Sequence, residues 1–269
     1  MLDIRLYSHS SATPRVARRF SAILGQCLLC IVVSLLESQV SPSLSDAAAA
    51  STVRDFAILH PRTNFIAEQL NNPVVGEAFD ALDMYDLERT DLTRYLGLAV
   101  PGLVDQIHLA RHADQIRAFL DAGRVLIFSG MLFQPWLPGG GAYFPKKIHS
   151  YKDYFLHVVT PHPIFDGITM DDLIFRRGVA GFFARGHNVP PPGAEILLAL
   201  ADNEPVVYID RVSTRGTILC HSGNDLLGYG KSEDTTHQLV PQLLAWMRTE
   251  ALARTARVQA AATPAEVTA

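Results

Sequence analysis

The stretch RVLIFSG, residues 124–130, decides the fold. Between Arg124 and the small pair Ser129-Gly130, Val125 to Phe128 is an unbroken apolar run. A strand wetted on one face alternates apolar and polar residues, whereas an unbroken run belongs to a strand buried on both faces, as in a parallel sheet covered by helices. Directly upstream, residues 103–122 place Leu103, Ile107, Ala110, Ala113, Ile116 and Phe119/Leu120 on one stripe with charges opposite, and Gly123 follows. That spacing predicts an amphipathic helix closed by a glycine cap. A helix feeding straight into a buried strand is half of a βαβ crossover.

Working outward, the same alternation recurs. DFAILH (55–60) is a strand, and Pro61-Arg62-Thr63 opens a helical segment to Asn72 carrying Phe65, Ile66 and Leu70. AFDALDMYDLE (78–88) and YLGLAVPG (95–102) are further strands, the latter ending on a Pro-Gly turn. Downstream, QPWLPGGGAYFPKK (134–147) is a long loop at a strand end, and YFLHVVTPHPIFDGI (154–168) is a strand running into a turn. FFARGHNVPPPG (182–193) is a loop, and EPVVYID (204–210) and GTILCH (216–221) are neighbouring strands. A terminal helix over roughly 234–250 turns Leu239, Leu243, Leu244, Trp246 and Met247 inward, with Pro241 tolerable only near its first turn. The expected architecture is three-layer α/β over residues 53–250, a mostly parallel sheet with helices on both faces. Residues 251–269 are expected to be a disordered tail.

The chain has 269 residues, 48% hydrophobic and 19% charged. Its 23 Lys+Arg stand against 27 Asp+Glu, so net charge gives no argument for binding nucleic acid or an anionic membrane. The three cysteines, Cys27, Cys30 and Cys220, are too few for a disulfide framework or a four-thiolate zinc site. Residues 20–36, FSAILGQCLLCIVVSLL, carry no charge, follow Arg15, Arg18 and Arg19, and lead into a Ser/Ala-rich stretch to Ala50. Residues 1–52 thus have three competing readings: a signal or anchor, a helix packed on the domain, or an extension without a folded role. The compartment follows from that choice, exported or membrane-anchored in the first case and cytoplasmic otherwise. Membrane contact is expected through residues 20–36 if anywhere.

Ligands of open α/β sheets sit at the carboxyl ends of the strands. That rule selects His60, Gly102, Ser129 with Gly130, and His221 with Ser222, Asn224 and Asp225.

Taken in order, LAVPG (98–102), the DAG-RVLIFSG join (121–130), VVTPHPIFDGI (158–168) and GTILCHSGND (216–225) resemble the class I glutamine amidotransferase-like superfamily. That superfamily is flavodoxin-like and includes trehalose-utilisation-type proteins and a domain appended to some β-galactosidases. In its working glutaminases a sharp G-x-C-x-G turn lifts a nucleophilic cysteine, two backbone N–H groups form an oxyanion hole, and a histidine in H-x-E is the base. The resemblance maps the cysteine to Ser129, the oxyanion loop to Gly102 and the histidine to His221. This chain has no cysteine at 129, Ile127 and Met131 flank that turn, and Gly223 stands at the glutamate position. The resemblance therefore implies the fold without thioester glutaminase chemistry.

Two readings of the strand ends stay open. In one, Ser129 is a nucleophile, His221 its base, Asn224 or Asp225 orients the ring, and the N–H groups of Gly102 and Gly130 form an oxyanion hole. In the other, Ser129 is a small turn residue and His221 a satisfied strand-end imidazole. Cys220 precedes His221 in a strand, so the two side chains point to opposite faces and form no Cys-His pair. His60, His162, His187 and His221 lack ligand spacing, so no metal and no cofactor is expected. Arg185 and His187 share one loop, where the guanidinium could clamp an anion. Gly139-Gly140-Gly141 is no phosphate loop, and Trp136, Tyr143 and Phe144 beside it make either an aromatic lid or a packed loop. The leading expectation is a module binding an unidentified small molecule or protein partner through His60, Gly102, Gly130, Arg185, His187, Asn224 and Asp225. A serine hydrolase and an exported carbohydrate-associated protein are the alternatives, and homo-oligomerisation is left open.

Overall fold

The structure is a computed structural model that describes residues 54–262. The uncharged run at 20–36, Cys27, Cys30 and residues 263–269 lie outside the described residues. The strands are β1 (Phe56–His60), β2 (Phe79–Asp83), β3 (Gly97–Pro101), β4 (Val125–Ser129), β5 (Tyr143–Pro145), β6 (Leu156–Val158), β7 (Phe175–Arg176), β8 (Val179–Ala180), β9 (Gly186–Asn188), β10 (Glu195–Leu200), β11 (Glu204–Asp210) and β12 (Thr217–His221). The helices are α1 (Asn64–Leu70), α2 (Pro73–Gly76), α3 (Gln106–Arg111), α4 (Ala113–Asp121), α5 (Met170–Ile174) and α6 (Leu239–Ala262).

An eight-stranded sheet runs in the order β2-β1-β3-β4-β12-β11-β10-β6. From β2 to β12 every neighbour is parallel. That is the flavodoxin-like order, with β12 as its fifth strand. From β12 outward the pairs are antiparallel.

All five residues of β4 are buried, as an unbroken apolar run requires. Because successive side chains point to opposite faces, Val125 and Ile127 join Phe56, Ile58 and Leu219 in one core, while Leu126 and Phe128 join Leu59 and Cys220 in the other. The first core is roofed by Leu239, Leu243 and Met247 of α6 and Ile66 of α1, the second by Ile116, Phe119 and Leu120 of α4. Three layers result, with helices on both faces.

Two expectations need correction, one unassigned segment gains a strand and one open alternative is decided. The helix over 103–122 is two helices, broken at His112 (φ −109°, ψ 15°), with Asp105 capping the first through its side chain. The break resets the helical phase, so Leu103 and Ile107 leave the inward stripe and are 61% and 57% exposed. Residues 195–200, to which the sequence pattern assigns no element, form β10, a central strand of the antiparallel half. β10 turns into β11 at Asp202 and Asn203, both at positive φ (67° and 60°), a region that Asp and Asn tolerate better than most residues. The terminal helix does not stop at residue 250 but runs to Ala262, so the expected disordered tail is ordered that far. Its extra turns rest on Gly123 (φ 85°), where an added Cβ would stand 2.7 Å from the Thr255 nitrogen. Thr255 Oγ1 also donates to the Gly123 carbonyl, and Ala251 is fully buried. Of the two readings of the loop around Trp136, the packed one holds for that residue, which is 1% exposed and packs edge-on against Phe128.

Candidate functional site

At the carboxyl ends of β3, β4 and β12 lies a cavity of about 560 Å³. Gly102, Ser129, Gly130, Asn224 and Asp225 line it, together with Arg185 from the β8–β9 connection. Aromatic groups at Phe65, Phe133, Tyr143 and Phe182 supply an apolar wall. Of the residues expected at the strand ends, the fold brings Gly102, Ser129, Gly130, Ser222, Asn224 and Asp225 together, and Arg185 joins them from its loop.

The two glycines sit back to back. A Cβ on Gly102 would lie 2.7 Å from the Ser129 carbonyl oxygen, and one on Gly130 would lie 2.5 Å from the Gly102 Cα. Close backbone approach thus accounts for both residues. The Gly130 N–H is not an oxyanion donor, because it donates to the His221 carbonyl at 2.9 Å, extending the β4–β12 ladder by one rung.

Ser129 and His221 are register partners on adjacent parallel strands, yet no hydrogen bond joins their side chains among the described residues. The Ser129 Oγ accepts the Leu226 N–H at 3.3 Å. The His221 Nε2 lies 2.9 Å from the Phe183 carbonyl oxygen, and only a protonated nitrogen satisfies that geometry, so Nε2 carries the hydrogen. Complete burial pushes the imidazole down to about 3, with the Phe183 hydrogen bond opposing weakly. The ring is neutral at pH 7 and a feeble base. An added Cβ on Gly223 would lie 1.7 Å from the Phe183 oxygen, so the Phe183 carbonyl fills the space a side chain would need there.

Cys220 points into the opposite core, as strand alternation requires, and burial pushes its thiol up to about 11. Asp225 caps the turn over 226–231 through Oδ1, which accepts the Leu227 N–H. Its Oδ2 is buried without a hydrogen-bond partner among the described residues, and burial pushes the carboxyl up to about 6. Asn224 donates to the Phe182 carbonyl, and Arg185 Nε donates to the Gly181 carbonyl.

His60 and His187 do not line the cavity. His60 Nδ1 accepts the Arg62 N–H and closes the turn after β1, and His187 stacks on Phe144 with ring centroids 5.9 Å apart. Neither joins the other expected ligand-binding residues. His162 caps the turn over 163–165 and packs edge-on against Trp246. Among the described residues no three His, Cys, Asp or Glu side chains converge as a metal site. Nor is any described helix long and apolar enough to cross a membrane.

One residue that braces the site from beneath was not singled out by the sequence. Asn188, on β9, is fully buried. Its Oδ1 accepts the Leu132 N–H and its Nδ2 donates to the Gly130 carbonyl, each at 2.8 Å. Its backbone N–H donates to Ser222 Oγ, also at 2.8 Å. One residue thereby ties the turn after β4 to β9 through its side chain and to the loop after β12 through its backbone. Only its position in a strand pair with β5 could have flagged it, because Asn within a strand is disfavoured unless both ends of its amide are used.

No protein-family model matches the chain. No curated protein matches it either. Among solved structures, it is similar to a glutamine amidotransferase from Thermotoga maritima at 16% identity and a TM-score of 0.40, covering 76% of this chain and 97% of that one.

Proposed function

We propose that the domain binds a small molecule in the cavity at the carboxyl ends of β3, β4 and β12, and that it performs no thioester glutaminase chemistry. One observation carries this reading: the groups at and beneath the cavity that catalysis would need are already engaged. Ser129 Oγ is held by the Leu226 N–H, the Gly130 N–H by the His221 carbonyl, and the His221 Nε2–H by the Phe183 carbonyl. A serine needs a base to accept its proton, and a buried neutral imidazole with so low a pKa is unsuited to that work. What remains is a cavity of ligand size with an aromatic wall and a few polar groups, the usual make-up of a small-molecule site.

The test is a thermal-shift screen of sugars, amides and nucleosides on the full chain and on Phe133→Ser, a change at a side chain 65% exposed that leaves the core alone. A ligand at about 100 times its Kd raises stability by about 2.7 kcal/mol, a clear rise in Tm. A saturable rise for one compound class, lost in Phe133→Ser, is the expected result. Labelling by a fluorophosphonate probe that disappears in Ser129→Ala would overturn the reading in favour of a serine hydrolase.

A further inference from the structure

Beside the first cavity, between α1, the β7–β8 hairpin and the turn over 226–231, lies a second one of about 520 Å³. The two share the wall formed by Phe65, Phe182, Asn224 and Asp225. Its chemistry is different. Arg176, Arg177 and Lys231 line it, and among the described residues none of the three is paired with a carboxylate within salt-bridge distance. Lys231 Nζ donates to the backbone carbonyl of Glu68, and the Arg176 guanidinium lies 5.3 Å from the centroid of the Tyr229 ring. Neither contact neutralises its charge. Arg177 stands at φ 52° in the hairpin turn, a backbone region that few side chains other than Asn, Asp and Gly adopt readily. Glu68 and Asp225 are the acidic residues lining this cavity.

At the inner end, Gln69 is 5% exposed, and both its Nε2 and its Oε1 lack a hydrogen-bond partner among the described residues. Asp225 is 7% exposed and its Oδ2 likewise lacks a partner at hydrogen-bond geometry, although the Gln69 amide lies near enough to oppose the rise of its carboxyl pKa. Buried amides and carboxylates are nearly always hydrogen-bonded, and leaving them otherwise is costly. The Gln69 amide and the Asp225 carboxyl influence each other, yet Gln69 Oε1 and the rest of the amide's donor capacity still face the cavity without a bond, a place where a ligand completes the set. The amide offers two donors and an acceptor and the carboxylate an acceptor, a set that suits hydroxyl groups, which both donate and accept. The cations at the rim suit an oxyanion.

We propose that this second cavity is a subsite for a polyhydroxylated organic anion, a sugar phosphate or a sugar acid, with its hydroxyls on Gln69 and Asp225 and its oxyanion on Arg176, Arg177 and Lys231. The proposal goes beyond the reading of the first cavity and stands on different residues.

The test is isothermal titration of the full chain with ribose 5-phosphate, gluconate, ribose and inorganic phosphate. Wild type is expected to bind at least one of the two sugar anions saturably, with ribose and inorganic phosphate at least tenfold weaker. Lys231→Gln and Arg177→Asn, the latter suited to positive φ, are each expected to weaken that binding about tenfold. Gln69→Leu removes the unpartnered amide at nearly the same volume, and is expected to weaken binding without lowering Tm. Three results would overturn the proposal: no saturable binding of either anion, binding unchanged in Gln69→Leu and Lys231→Gln, or inorganic phosphate bound as tightly as ribose 5-phosphate. Binding lost in Phe133→Ser but kept in the Gln69 and Lys231 variants would overturn it too, while leaving the first cavity as the ligand site.

Discussion

Replacing Asn188 by alanine is expected to cost on the order of 4 kcal/mol of folding stability. The figure follows from what the substitution strands. The Leu132 N–H and the Gly130 carbonyl each lose a 2.8 Å partner in a region where Asn188 is 0% and Leu132 2% exposed. A buried backbone group left without a partner costs about 1–3 kcal/mol, and two of them give roughly 2–6 before any water enters the space. Urea unfolding followed by far-ultraviolet circular dichroism measures the change, read from the midpoint at constant slope. Asn188→Asp sharpens the test, because the carboxylate still accepts from Leu132 but turns its other oxygen towards the Gly130 carbonyl. Repulsion and burial would raise the folded carboxyl above its unfolded value, so the folded state binds the proton more tightly and stability falls as pH rises through that range. The aspartate variant should therefore be closer to wild type at pH 5 than at pH 8. A loss below about 1 kcal/mol for Asn188→Ala, or an aspartate variant indifferent to pH, would refute the reasoning.

Gly102→Ala and Gly130→Ala should each lower Tm, by an amount corresponding to about 1–3 kcal/mol, since their Cβ atoms would meet backbone at 2.7 and 2.5 Å. Gly178→Ala, at φ 75° with nothing within 4 Å, should cost only its backbone strain, about 1 kcal/mol, in the same thermal melts. Glu250 is pushed up by burial, but hydrogen bonds from Arg211 and Thr217 outweigh this and hold it down at about 2. A folded pKa below the unfolded one gives stability that is present above about 4.5 and lost as pH falls through about 2, so Glu250→Gln should destabilise clearly at pH 7 and much less at pH 2 in parallel urea titrations. His221 should show no ring titration by nuclear magnetic resonance between pH 5 and 8. Its neutral burial stabilises fully above about 6.5, and that contribution declines as pH falls towards 3; a midpoint near 6 for that ring would contradict the burial described.

The parallel half of the sheet was legible because burial on both faces leaves a mark in sequence: VLIF at 125–128 has no polar residue to alternate with. The strand-end rule then put Gly102, Ser129, Gly130, Asn224 and Asp225 around one cavity without any knowledge of side-chain contacts. The antiparallel half was harder. EILLAL at 195–200 is equally apolar, but it follows a run of prolines and is too short for periodicity to separate strand from helix. The break at His112 was hidden because Leu103 and Ile107 fit the helical spacing and only the reset of phase at 112 turns them outward. Asn188 and Gln69 were invisible for a common reason: a polar side chain reads as surface until its partners, or their absence, are seen in space. His60 and His187 illustrate the converse, imidazoles that looked like ligand groups but serve a turn and a ring stack.

The place of β12 has a consequence for how the chain comes to be folded. It fills the gap between β4 and β11, although it is the last strand to be made. Until Thr217–His221 is available, β4 holds partners on one side only, through β3, and the N–H and C=O groups of its other edge are unpaired beside apolar side chains. Synthesis at about 5–20 residues per second keeps that edge open for several seconds while the intervening loops and β5 to β11 emerge. The two halves of the sheet are joined through this one late strand, so nascent chains stalled before it are exposed to edge-to-edge association, and the rate of completing the sheet is governed by a long-range closure rather than by any local element.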